Sequence, residues 1–254
     1  MFLQLYDVIL GGVFFGSFAA VAAVLMSPLQ FLKIMRQQTR SSYRKIALDT
    51  LSDGGVAPFF RGALPYAVMN FLSSMSFGIS EAISGIALKA FFHPTIFFVV
   101  LFRSMLGGLL ETLFSIWAEV CEISRNKGKL MENKATLKGV ALPILVRNMI
   151  FWSASVISYE ISIAYRMSLL SGTAVGLIFG IFAALLSIPL DVVATRNCGA
   201  RVRHGILACV CAVFLGKEDA KHLLYGTVIR VIQIAMFTLV TLLTMFAFEA
   251  VFHS

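Results

Sequence analysis

Charge is what this sequence has least of. Of its 254 residues 13% are charged and 59% are apolar, where soluble domains run to about 25% and 45–50%. A chain so short of charge is neither intrinsically disordered nor a typical soluble enzyme; its composition is that of a membrane protein. Cysteine is sparse too. Cys121, Cys198, Cys209 and Cys211 are scattered among apolar residues, which excludes a disulfide scaffold and reads as buried thiols. No nearby His or Cys completes a metal site around Cys209 and Cys211, and His93, His204, His222 and His253 show no ligand spacing. Nucleophile motifs, phosphate-binding loops and zinc motifs are missing, so neither an enzyme nor a bound cofactor or metal is expected. The start, Met1 to Asp7, has no basic residue ahead of its apolar run, which argues against a cleaved secretory signal and an Arg-rich transit peptide.

What is abundant is long apolar sequence. Such stretches predict helices near 5–35, 60–88, 94–124, 140–165, 169–197 and 222–252, each long enough to span a bilayer, several with length to spare for tilt or a kink. The net charge of +8 raises nucleic acid as a partner, but its distribution argues otherwise. Six of the 21 Lys and Arg residues lie between Lys33 and Arg61, six between Arg125 and Arg147, and six between Arg196 and Arg230; only Lys89, Arg103 and Arg166 fall elsewhere. Three basic segments alternating with apolar spans are expected to share one membrane face, with both termini on the other. They lack the interleaved aromatics of a nucleic-acid surface.

The segments also repeat. Pro28-Leu-Gln30-Phe-Leu-Lys33 returns as Pro189-Leu-Asp191-Val-Val-Ala194-Thr195-Arg196, and Val120-Cys-Glu122-Ile-Ser-Arg125 holds the same place between them. Upstream of each stand small residues: Gly12 with Gly16, Gly107 and Gly108 with Thr112, and Gly172, Gly176 and Gly180. Small residues at helical spacing let helix backbones approach in lipid. Downstream comes a basic loop and then a glycine opening the next apolar helix: Arg61-Gly62, Lys138-Gly139, Tyr225-Gly226. A proline inside such a pattern kinks its helix, and residues three apart, such as Gln30 and Lys33, share a helix face.

Along essentially its whole length this pattern resembles the mitochondrial carrier family, whose repeats carry Pro-x-[Asp/Glu]-x-x-[Lys/Arg] followed by a glycine motif. The resemblance implies an all-α membrane protein with six transmembrane helices in three two-helix repeats around a central cavity, over 1–93, 94–167 and 168–254. The second repeat has lost its proline to Val120, and its matrix loop is shortened: 13 residues separate Arg125 from Gly139, leaving the family's surface helix absent or vestigial. A ring of pairs is implied at a matrix gate: Gln30 with Arg125, Glu122 with the vacant position Ala194, and Asp191 with Lys33, braced by Gln37. Arg196 lies two residues beyond the vacancy, within possible reach of Glu122, which is otherwise an unpaired acid. If Asp191 and Lys33 pair, reversing both restores what either single reversal loses. On the opposite side Ser80-Glu81, Tyr159-Glu160 and Phe248-Glu249 keep the family's acids, but Ser84, Ile163 and Phe252 replace its cations, so ionic closure there is not expected.

Substrate contacts implied by the resemblance fall at Met69 and Asn70, at Arg147 and Asn148, and at Arg230 and Gln233. An Arg within an apolar helix faces a partner or water, and its planar fork suits a carboxylate or phosphate. Arg147 reads as a substrate contact or as the partner of an acid such as Glu111. Glu111 itself reads as a packing hydrogen bond or salt bridge, or as a group coupled to proton movement. The function implied is transport of a small anionic metabolite across the inner mitochondrial membrane by alternating access, a nucleotide such as ATP or ADP ahead of a carboxylate or keto acid. The protein is expected to be a monomer among membrane lipids, cardiolipin included, with no nucleic acid. The alternative is a carrier-fold receptor or scaffold that no longer transports.

Overall fold

The computed structural model describes residues 2–88, 95–128, 135–198 and 220–252. His93, His204, His253, Cys209, Cys211 and the side chain of Glu249 lie outside them. The described residues are helical, with no strand. Helix α1 runs Phe2–Thr39, α2 Tyr43–Gly54, α3 Ala63–Leu88, α4 Ile96–Asn126, α5 Ala135–Ala164, α6 Leu169–Asn197 and α7 Thr227–Phe252. All but α2 are long and apolar enough to cross a membrane. At 1.5 Å per residue the 38 residues of α1 reach about 57 Å, well beyond a hydrocarbon core of about 30 Å. Pro28, Pro143 and Pro189 lie inside helices that continue past them.

Two of the long helices begin where a side chain satisfies an orphan amide. Thr95 accepts from the Phe98 amide and Ser168 from the Ser171 amide, each at 3.3 Å. Between them the solvent logic of a soluble protein is inverted. Leu25, Leu64, Leu113, Ile178 and Val228 are more than 60% exposed, whereas Ser76, Ser80, Ser84 and Ser187 are fully buried. Apolar surface on this scale has its favourable environment in lipid, and the chain reads as a multi-pass membrane protein.

The six long helices close a ring in chain order: α1 packs on α3, α3 on α4, α4 on α5, α5 on α6, α6 on α7, and α7 on α1. Glycines let α4 and α5 approach closely. A Cβ on Gly108 would lie 2.8 Å from the Met149 backbone nitrogen, and one on Gly107 2.2 Å from the Trp152 ring. Gly176, from the same sequence pattern, would meet nothing within 4 Å.

The first basic connection carries the surface helix α2, which buries Ile46 against Phe31 of α1 and Phe59. Arg36 stacks on Tyr43 at 4.4 Å and on Tyr225 at 4.6 Å, tying the first and third connections together. Burial pushes the Tyr43 phenol upward, so it stays neutral there. Eight residues, 127–134, separate α4 from α5, against 23, 40–62, between α1 and α3. Gly226 opens α7 at φ +99°, and a Cβ there would come within 2.8 Å of the Lys33 side chain. Gly226→Ala is therefore expected to cost about 1–3 kcal/mol, read as a lower unfolding midpoint in detergent.

Candidate functional site: a buried ionic cluster

Toward the basic-loop end, polar side chains from all six long helices meet inside the ring. Asp191 of α6, 3% exposed, is the hub. One oxygen faces Lys33 Nζ of α1 at 3.3 Å and Arg230 Nε of α7 at 3.8 Å; the other faces Arg147 Nη1 of α5 at 3.0 Å. The pair anticipated between Asp191 and Lys33 thus forms, but Asp191 also serves two arginines.

Arg147 is held on every side. Its two terminal nitrogens fork onto the two oxygens of Glu119 of α4, the geometry in which an Arg–carboxylate pair is strongest. Its Nε and Nη2 donate to Asn148 Oδ1 at 3.1 and 2.9 Å, and Asn148 Nδ2 donates to Thr112 Oγ1 at 3.0 Å. Its acid is therefore Glu119, not Glu111. Gln30 bonds Glu122 in place of Arg125: Gln30 Nε2 donates to Glu122 Oε2 at 3.2 Å, and Asn126 Nδ2 to Glu122 Oε1 at 2.9 Å. Glu122 is accordingly partnered by amides and not by Arg196, which is half-buried, and Arg125 is exposed at the surface.

The remaining members brace this cluster. Gln233 Nε2 donates to Gln30 Oε1 at 3.0 Å and to the Tyr66 hydroxyl at 3.2 Å. Gln37, fully buried, accepts from Thr195 Oγ1 at 2.9 Å and donates to the Tyr225 carbonyl at 3.1 Å. Lys127 donates to the carbonyls of Thr195 and Cys198 at the end of α6, where a cation is favoured. Burial pushes the Cys198 thiol upward, so it sits there as a neutral buried group. Met69 packs half-buried against the cluster of Ala22, Ala23, Met26, Tyr66 and Ala67, and Asn70 spends its amide on the Tyr66 carbonyl at 2.8 Å. Three cations, Lys33, Arg147 and Arg230, thus face three acids, Glu119, Glu122 and Asp191. Such balance is what makes buried charge tolerable in an apolar surround.

The opposite end holds a second clamp. Arg103 of α4 lies 2.8 Å from Glu160 of α5 and 3.6 Å from Glu81 of α3. For Glu81 and Glu160 the missing cation is supplied from another helix, which corrects the expectation that no ionic closure exists there. Midway, Glu111 accepts from Ser73 Oγ and Trp152 Nε1, each at 2.8 Å.

Repeat matching misses Glu119, Asn126, Tyr66 and Arg103, because none falls on a repeat position. A plainer signal marks Glu119 and Arg103: a charge inside an apolar span needs a partner, whatever the motif. Among the described residues no group of three His, Cys, Asp or Glu is placed to hold a metal. No protein-family model matches the chain, and no curated protein matches it.

Proposed function

We propose that this protein is a transporter of the mitochondrial-carrier type, with α1 and α3, α4 and α5, and α6 and α7 as three repeats around a central path. Its substrate is a small anionic metabolite, first a nucleotide such as ATP or ADP, then a carboxylate or keto acid, moved across the inner mitochondrial membrane by alternating access. The observation that carries this reading is the pair of ionic closures: the six-helix cluster at one end and the Arg103 clamp at the other. Charges that pair across helices can part and re-form as the two ends open in turn. Within the cluster, Arg230 and Gln233 have polar capacity to spare. Arg230 lies over the Phe151 ring at 4.9 Å, and both its Nε and Gln233 Oε1 are buried without a hydrogen bond. On this reading, bilayer lipids such as cardiolipin meet the cleft of about 180 Å³ lined by Arg61 and Lys127.

One observation favours a second reading, a carrier-fold receptor or scaffold that does not transport. The Arg147 fork is filled from within by Glu119, as an anionic substrate would fill it. Uptake into preloaded proteoliposomes decides between them, with labelled ATP, ADP, 2-oxoglutarate and malate offered in parallel. Saturable uptake of one class is expected. It should be lost in the double variant Arg147→Met with Glu119→Leu, which removes a buried ion pair together and so largely spares the fold. Folded protein that takes up nothing across a broad metabolite panel would overturn transport in favour of the scaffold.

A further inference from the structure

Glu111 stands at the midpoint of α4, 15 residues from either end of Ile96–Asn126, or about 22 Å of helix each way. It belongs to neither ionic closure. Its two oxygens are taken by neutral donors, the Ser73 hydroxyl of α3 and the Trp152 indole of α5, and no cation among the described residues lies within ion-pair distance. The charges whose fields reach it are Arg147 of α5 and Glu119 of α4, and these neutralise one another in a forked pair. On α3 the nearest acid, Glu81, is engaged by Arg103. On α1 and α6, which also touch α4, Lys33 pairs with Asp191, which Arg147 and Arg230 share, Arg36 stacks on Tyr43 and Tyr225, and Arg196 is half-buried at the end of α6.

An ionised carboxylate at this depth without a cation is costly, whereas a carboxylic acid is not. The partners suit both forms. Indole N–H can only donate, and it serves Oε2 in either state. A serine hydroxyl donates and accepts, so Ser73 can give a hydrogen bond to a carboxylate and take one from an O–H on Oε1. Ser73 also begins a file on one face of α3 with Ser76, Ser80 and Ser84, the last three fully buried, leading toward the Arg103 clamp. Within that file the Ser80 hydroxyl is buried and makes no hydrogen bond, an open donor and acceptor between the mid-membrane and that end.

We infer that Glu111 is a proton-binding site, and that transport by this protein carries a proton together with its anionic substrate. The proton enters from bulk water on one face, forms the O–H bond on Oε1, and leaves to water on the other. No other bond changes. The coupling part rests on the transport reading above; the proton site does not.

Two measurements separate them. Infrared difference spectra of purified wild-type protein against Glu111→Gln, near neutral pH, should show the C=O stretch of a protonated carboxylic acid in the wild type alone. Gln keeps both hydrogen bonds, and Trp152→Phe, which removes one donor to Oε2, should shift the same band. In proteoliposomes an acid-outside gradient should raise wild-type uptake several-fold and leave the uptake of Glu111→Gln unchanged. Absence of the band overturns the proton site. Uptake indifferent to the gradient in the wild type, or equally stimulated in Glu111→Gln, overturns the coupling. A band without uptake of any metabolite upholds the site and overturns the transport reading instead.

Discussion

Asp191→Asn is expected to lower stability by about 3–5 kcal/mol, the penalty for removing one partner of a buried charge network. Three cations would then face only Glu119 and Glu122, and Lys33 and Arg230 would lose the acid they share. Thermal unfolding in detergent reads the loss, and transport should fall with it. The same geometry revises the charge-swap expectation. Lys33→Asp combined with Asp191→Lys re-forms one pair in reverse. It also sets an ammonium where a carboxylate now lies 3.0 Å from Arg147 and 3.8 Å from Arg230. The double reversal is therefore expected to stay as impaired as the single ones. Full rescue would mean that Asp191 serves Lys33 alone.

Gly108→Ala is the second large effect. Its Cβ would come within 2.6 Å of Met149 Cγ and 2.8 Å of the Met149 backbone nitrogen. A backbone cannot swing aside as a side-chain end can, so α4 and α5 must part. Overpacking of this kind costs about 1–3 kcal/mol. Here the separation also loosens Arg147 from Glu119 and Trp152 from Glu111, two of the contacts joining these helices. Gly176→Ala, where a Cβ meets open space, should be neutral or slightly stabilising through helix propensity. Equal losses at the two positions, by unfolding midpoint, would contradict this account.

That contrast marks how far the sequence is legible. Hydropathy places the six spans within a few residues of their observed bounds, because an apolar run of bilayer length has few other ways to satisfy its backbone. The resemblance pairs Lys33 with Asp191 because they stand five and two residues past the prolines of related helices, the cation and acid positions of one repeated motif. They treat Gly108 and Gly176 alike, yet only one meets a neighbouring backbone, since helix rotation about its axis is set by packing that no local pattern encodes. Arg147 follows the same rule. Its depth in an apolar helix shows that it needs a partner, but the choice of Glu119 over Glu111 depends on how α4 and α5 are turned toward each other. Glu122 and Arg103 find partners on principles of charge and burial, across positions that repeat alignment leaves vacant.

The molecule has two tryptophans, and they sit in opposite surroundings. Trp117 faces outward at 51% exposure, whereas Trp152 is 4% exposed, stacked on Phe77 with ring centres 5.1 Å apart and its N–H on Glu111. Trp117→Phe removes the lipid-facing one at little structural risk and leaves a single tryptophan, its indole bonded to the mid-membrane carboxyl and separable from the six tyrosines by red-edge excitation. Its emission then reads the charge on that carboxyl directly, so the state of the site can be followed in real time without label, substrate or vesicle.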